Sequence, residues 1–158
     1  MKTYLTVLLL LAVCTVLSAC AGLQVGGNTG SASAVAMSRH ALVRQSLDQL
    51  IAAYEAKSAG RFAELVSERY TGEESILDTA VRQDFSRFHD LSLRYTVNNI
   101  TLDDGGKASV AITFTRGWTE IKTSRTRSET GETSLVFVLE QGVYKLYSQS
   151  RPPLFGLD

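Results

Sequence analysis

Hydrophobic and polar positions change period twice along this 158-residue chain. From Ser38 onward, Val43, Leu47, Leu50, Ile51 and Tyr54 fall on one face of a 3.6-residue helix, with Gly60 as its stop. A shorter helix turns Phe62, Leu65, Val66 and Tyr70 inward and is broken by Thr71-Gly72. A third opens at Ser75-Ile76-Leu77-Asp78, which fits a capping box, and buries Leu77, Val81, Phe85 and Phe88. Beyond His89-Asp90 the period falls to two: Leu91, Leu93, Tyr95 and Val97 share one face, and Asn98-Asn99 shifts the phase before Ile100 and Leu102, as a β-bulge would. Asp103-Asp104-Gly105-Gly106 is a turn. The next strand sends Ala108, Val110, Ile112, Phe114, Arg116 and Trp118 to one side.

Residues 122–134 are polar and predict an exposed turn or strand ends with solvated charges. Leu135-Val136-Phe137-Val138-Leu139 is apolar on both faces and predicts a covered strand. Glu140-Gln141-Gly142 turns into a last strand, which Pro152-Pro153 ends, because proline cannot donate to a ladder.

The pattern places a cation, Arg116, where alternation reserves an apolar side chain. A lone charge in a closed core is costly. Three roles follow: a strand-end arginine reaching water beside Trp118, a structural pair with Asp84 or another acid, or a cation at a cavity mouth that binds an anionic ligand or partner. Arg116 and Trp118 are thus the candidate ligand-binding residues.

The first twenty residues carry one cation, Lys2, an apolar run from Tyr4 to Leu17 and small residues before Cys20, the layout of a secretory signal. The run is too short for the roughly 20 residues of a spanning helix. Leu17-Ser18-Ala19-Cys20 resembles the lipobox of bacterial lipoproteins. That resemblance implies cleavage before Cys20, acylation of the cysteine, and anchoring to the membrane. Ala21 in place of Asp implies the outer membrane, with the domain facing the periplasm. Residues 1–19 are then the signal peptide, 20–37 the lipidated cysteine and a flexible tether, and 38–158 the folded domain. With Cys14 removed and Cys20 lipidated, no thiol is left for a disulfide.

Charge adds little: 16 Lys+Arg balance 16 Asp+Glu, so no global field recruits nucleic acid. His40 and His89 stand outside any ligand-spaced cluster, so neither a metal nor a cofactor is expected.

Three helices followed by bulged antiparallel strands, with "LDQLIAAYEAKSAGRFAELVSERY", "DDGGKASVAITF" and the ending "GVYKLYSQSRPPLFG", resemble the nuclear transport factor 2-like superfamily over residues 38 to 156. The resemblance implies an α+β cone: three N-terminal helices packed in a curved, mostly antiparallel sheet of about four strands. Its members include isomerases, cyclases and dehydratases beside proteins that only bind or scaffold, and fold does not choose among them. The expected function is a non-catalytic binding module for a small molecule or protein. The enzymatic alternative uses Asp84, which borders the stripe of the third helix, as general base, with Tyr54 or Tyr95 as hydroxyl donor. A third alternative is an envelope assembly subunit that uses the outer sheet face, where Thr113, Thr115 and Thr119 permit only a modest homodimer.

Overall fold

A computed structural model describes residues 29–157 of the chain. The signal, the lipobox and the first part of the expected tether lie outside the described residues. Residues 33–157 form one compact unit. The described elements are helices α1 (Thr29–Glu55), α2 (Ala59–Glu64) and α3 (Glu74–Arg87), then strands β1 (Phe88–Leu102), β2 (Lys107–Glu120), β3 (Thr126–Glu140) and β4 (Val143–Gln149). The four strands make one antiparallel sheet in sequence order, β1-β2-β3-β4. This is the expected α+β arrangement of three helices and a curved four-stranded sheet.

The helical periodicity holds in α1: Val43, Leu47, Leu50, Ile51 and Tyr54 are all buried. The helix begins at Thr29, ahead of the expected Ser38. Residues 31–37 contain alternating alanines and neither glycine nor proline, a composition that extends a helix readily. The second helix stops at Glu64, short of the expected Tyr70. Residues 65–67 leave it to join β4: Leu146 N donates to Leu65 O at 2.8 Å and Ser67 N to Leu146 O at 2.9 Å. The expected capping box does not form. Helix α3 starts one residue earlier than Ser75, and Asp78 instead pairs with Arg82 one turn on, at 2.8 Å.

Strand alternation is reproduced closely. Leu91 and Leu93 face inward from β1, and the register slips between Val97 and Asn99, the expected bulge. From β2, Ala108, Val110, Ile112, Phe114 and Arg116 are all buried. The opposite face of the sheet is polar, with hydroxyl pairs linking Thr115 to Thr130 (3.0 Å) and Thr119 to Thr126 (3.1 Å) across β2 and β3. In β3, Leu135, Phe137 and Val138 are buried while Leu139 is exposed, so this strand is covered on one face and only partly on the other.

The core between helices and sheet joins Leu47, Leu50, Tyr54 and Phe62 to Val110, Ile112, Leu135 and Leu146. It also takes in Leu154 and Phe155, which lie beyond the last strand and are 0% and 1% exposed. After Pro152 the chain turns back and inserts these two side chains between helices and sheet.

Candidate functional site

The inserted segment, residues 153–157, belongs to no helix or strand. A buried irregular backbone must find partners for its amides and carbonyls. Three side chains from three elements supply them here.

Arg116 projects inward from β2. Its Nη1 donates to the carbonyls of Pro153 (2.9 Å) and Leu154 (3.0 Å). Its Nε and Nη2 donate to Glu129 Oε2 at 3.3 and 2.9 Å. Glu129 stands directly opposite on β3. The guanidinium also lies between two rings of its own strand face, 5.6 Å from Phe114 and 5.9 Å from Trp118, within cation–π range. The acid that meets Arg116 is therefore Glu129 and not Asp84, and Glu129 belongs to the segment whose charges were expected to be solvated. Only the outer end of this pair is wet: the Arg116 side chain is 7% exposed and that of Glu129 39%.

Gln149, the last residue of β4, accepts with Oε1 from the amides of Leu154 (2.9 Å) and Phe155 (3.2 Å) and donates with Nε2 to the Phe155 carbonyl at 3.1 Å.

Asp84, on the inner face of α3, is completely buried. Its spacing explains this, because positions 77, 81 and 84 follow one another down a single helix face. Oδ2 accepts from Tyr54 Oη at 2.6 Å, Gly156 N at 3.1 Å and Leu157 N at 2.9 Å, and Oδ1 accepts from Leu157 N at 3.0 Å. Burial pushes its pKa above the ordinary carboxylate range, against the opposing pull of these hydrogen bonds and the Arg116 charge. Burial and the Asp84 charge raise the Tyr54 hydroxyl in turn.

The side chains of the segment complete the fit. The Phe155 ring meets Tyr54 edge-on at 5.2 Å and Phe62 at 5.1 Å, the offset geometry that aromatic pairs favour. Gly156 adopts φ +79°, and a Cβ there would come within 2.8 Å of the Ala80 methyl, so both conformation and space require glycine. Among the described residues, no buried side-chain polar atom is left without a partner.

Of the residues singled out in the sequence, the structure thus brings Tyr54 and Asp84 into direct contact and sets Arg116 beside Trp118. Tyr95 lies apart: its hydroxyl donates to Asp48 on α1, and burial with that carboxylate pushes its pKa up to about 12. Trp118 packs on Phe88 at 5.9 Å and lines an open cleft of about 480 Å³ at the rim, together with Arg127, Glu129, Pro152 and Pro153. Glu129 and Gln149 carry no mark in the sequence, since each sits in a polar run. Among the described residues, no three of His, Cys, Asp and Glu gather where they could hold a metal ion, and no helix is long and apolar enough to cross a membrane.

General-base chemistry needs a carboxylate lone pair aimed at a substrate atom. Asp84 is fully buried, and its oxygens accept from Tyr54 and two backbone amides. The cradle of Asp84, Gln149 and Arg116 holds a length of polypeptide by its main chain.

The fold is the cone of nuclear transport factor 2-like proteins. A scytalone dehydratase-like protein of Novosphingobium aromaticivorans superposes with a TM-score of 0.68 at 10% identity, over 74% of this chain and 85% of that one. A nuclear transport factor 2-like superfamily protein of Salmonella enterica gives 0.62 at 8%, over 75% and 96%. A ketosteroid isomerase-like protein of Erwinia carotovora gives 0.60 at 9%, over 69% and 91%. These likenesses are of fold alone. By sequence, neither a family model nor a curated protein matches the chain.

Proposed function

We propose that this chain is a non-catalytic binding module of the cell envelope, anchored through a lipid on Cys20, whose cone grips polypeptide and does not turn over a small molecule. One observation carries the reading: Leu154 and Phe155 fill the core between helices and sheet, and Asp84, the acid that would act as base, is fully buried and accepts from Tyr54 and from the amides of Gly156 and Leu157. The lipid anchor rests on the lipobox-like Leu17-Ser18-Ala19-Cys20 and the apolar run before it. Several acyl chains hold a protein stably where one binds only marginally.

A second reading keeps the isomerase or cyclase chemistry, and the 2.6 Å contact between Tyr54 and Asp84 favours it. A hydroxyl and a carboxylate of raised pKa, enclosed by aromatic rings, form a usable acid–base pair once the segment is withdrawn.

The full chain, purified in detergent from its native membrane, distinguishes the two. Intact mass spectrometry is expected to show a lipid on Cys20, loss of residues 1–19 and no stoichiometric small molecule. A retained carbonyl or enol compound that the protein converts would sink the non-catalytic reading. Unchanged processing of Cys20→Ala would sink the anchor.

A further inference from the structure

The inserted segment is held differently from a length of ordinary core. Core strands are fixed by ladders with neighbouring strands, whereas this segment is fixed by side chains that address its backbone: Arg116 on two carbonyls, Gln149 on two amides and a carbonyl, Asp84 on two amides. Main-chain hydrogen bonds that give affinity, with pockets that select a few side chains, are how peptide-binding domains work. The selective positions here are Leu154 and Phe155, which are enclosed, and Gly156, which is pressed on Ala80. The connection before them is exposed at Ser150, Arg151 and Pro152. Asp84 and Arg116 are enclosed with the segment, and each addresses its backbone and not only its side chains.

We propose that the cone is a peptide-recognition site for a bent Leu-Phe-Gly segment, occupied in cis by residues 153–157 and able to take a segment of the same chemistry in trans. The inference deepens the binding-module reading and rests on it. In the intact chain the short connection gives the resident segment an effective concentration in the millimolar range, so a free peptide competes poorly until that link is cut or the resident segment is spoiled.

Two arrangements test this. In the first, a protease site is inserted after Ser150 of the full chain, which is folded and then cut. The cut segment is expected to stay bound and to be replaced by labelled Arg-Pro-Pro-Leu-Phe-Gly-Leu, with a peptide carrying alanine for glycine at least tenfold weaker as competitor. In the second, the full chain carries Gly156→Ala, which denies the resident segment its seat against Ala80. This variant is expected to bind the labelled glycine peptide at concentrations where the unaltered chain binds none. Either protein failing to bind the labelled peptide, whether folded or not, overturns the proposal, as does equal competition by the glycine and alanine peptides. A cut segment that never exchanges overturns binding in trans. None of these outcomes would reveal a small-molecule substrate, so failure here stays separable from failure of the non-catalytic reading.

Discussion

Replacing Asp84 by asparagine changes charge and hydrogen-bonding sense with almost no change in volume, at a point where four short contacts meet. Asparagine offers one acceptor oxygen and one donor group. With its oxygen in the Oδ2 place it keeps Tyr54, Gly156 and the 2.9 Å contact to Leu157, but sets its amino group against the amide of Leu157 that stood 3.0 Å from Oδ1. Turned over, it sets that group against both backbone amides. The first orientation exchanges charge-assisted bonds of about 1.5–3 kcal/mol for neutral ones of about 0.5–1.5 kcal/mol and recovers part of the difference by enclosing no charge, for a net loss of about 1–3 kcal/mol. Urea unfolding followed by Trp118, the single tryptophan, reads this as a midpoint lowered by roughly 1 M, for a slope of about 1–3 kcal/mol per molar.

The pH dependence sharpens the test. Burial raises the Asp84 pKa in the folded state, so between the unfolded and folded values the native protein binds more protons than the unfolded chain. The contribution of Asp84 is therefore complete below the unfolded value of about 3.9 and is lost as pH rises through the folded one. The gap between the unaltered protein and Asp84→Asn is expected to narrow with rising pH over that window. A gap that widens would mean that the folded-state pKa lies below the unfolded one, the opposite of what burial imposes.

Phe155→Ala empties the space between Tyr54 and Phe62, and calorimetry is expected to show a loss of about 3–5 kcal/mol, in the range for deleting an enclosed ring. Arg116→Lys keeps the charge but not the fork that spans Glu129 and the Pro153 and Leu154 carbonyls, and leaving one acceptor unpaired is expected to cost about 1–3 kcal/mol in the same urea assay. Arg127→Ala removes an ion pair with Glu120 whose arginine is 55% exposed, and the urea midpoint is expected to stay within the error of the assay, the control against which the other two are judged.

Strand periodicity alone exposed Arg116 as an exception and placed the bulge at Asn98-Asn99, because a period of two leaves each residue only one of two faces. Helical spacing likewise put Asp84 beside the buried stripe. Its depth was not legible: α3 turns Asp84 fully inward while Phe85 is only half-buried, since the segment that Asp84 holds comes from seventy residues further on. Glu129 was hidden for a related reason. Its polar surroundings read as solvent-facing, and only the register of β2 with β3 sets it opposite Arg116. Gln149 sits among serines and tyrosines, and nothing local marks it as a binding side chain. Leu154 and Phe155 follow two prolines that end the last strand, a position where apolar side chains give no period from which to assign a face.

Residues 153–157 close the cone as an integral, backbone-gripped part of the native structure. Hydrogen exchange at the amides of Gly156 and Leu157, both donated to Asp84, tests this closure most directly. Protection of about 100-fold or more is expected at these two sites, as in the core strands, with loss of that protection in Asp84→Asn. Exchange of both amides at the rate of an unstructured chain would contradict it.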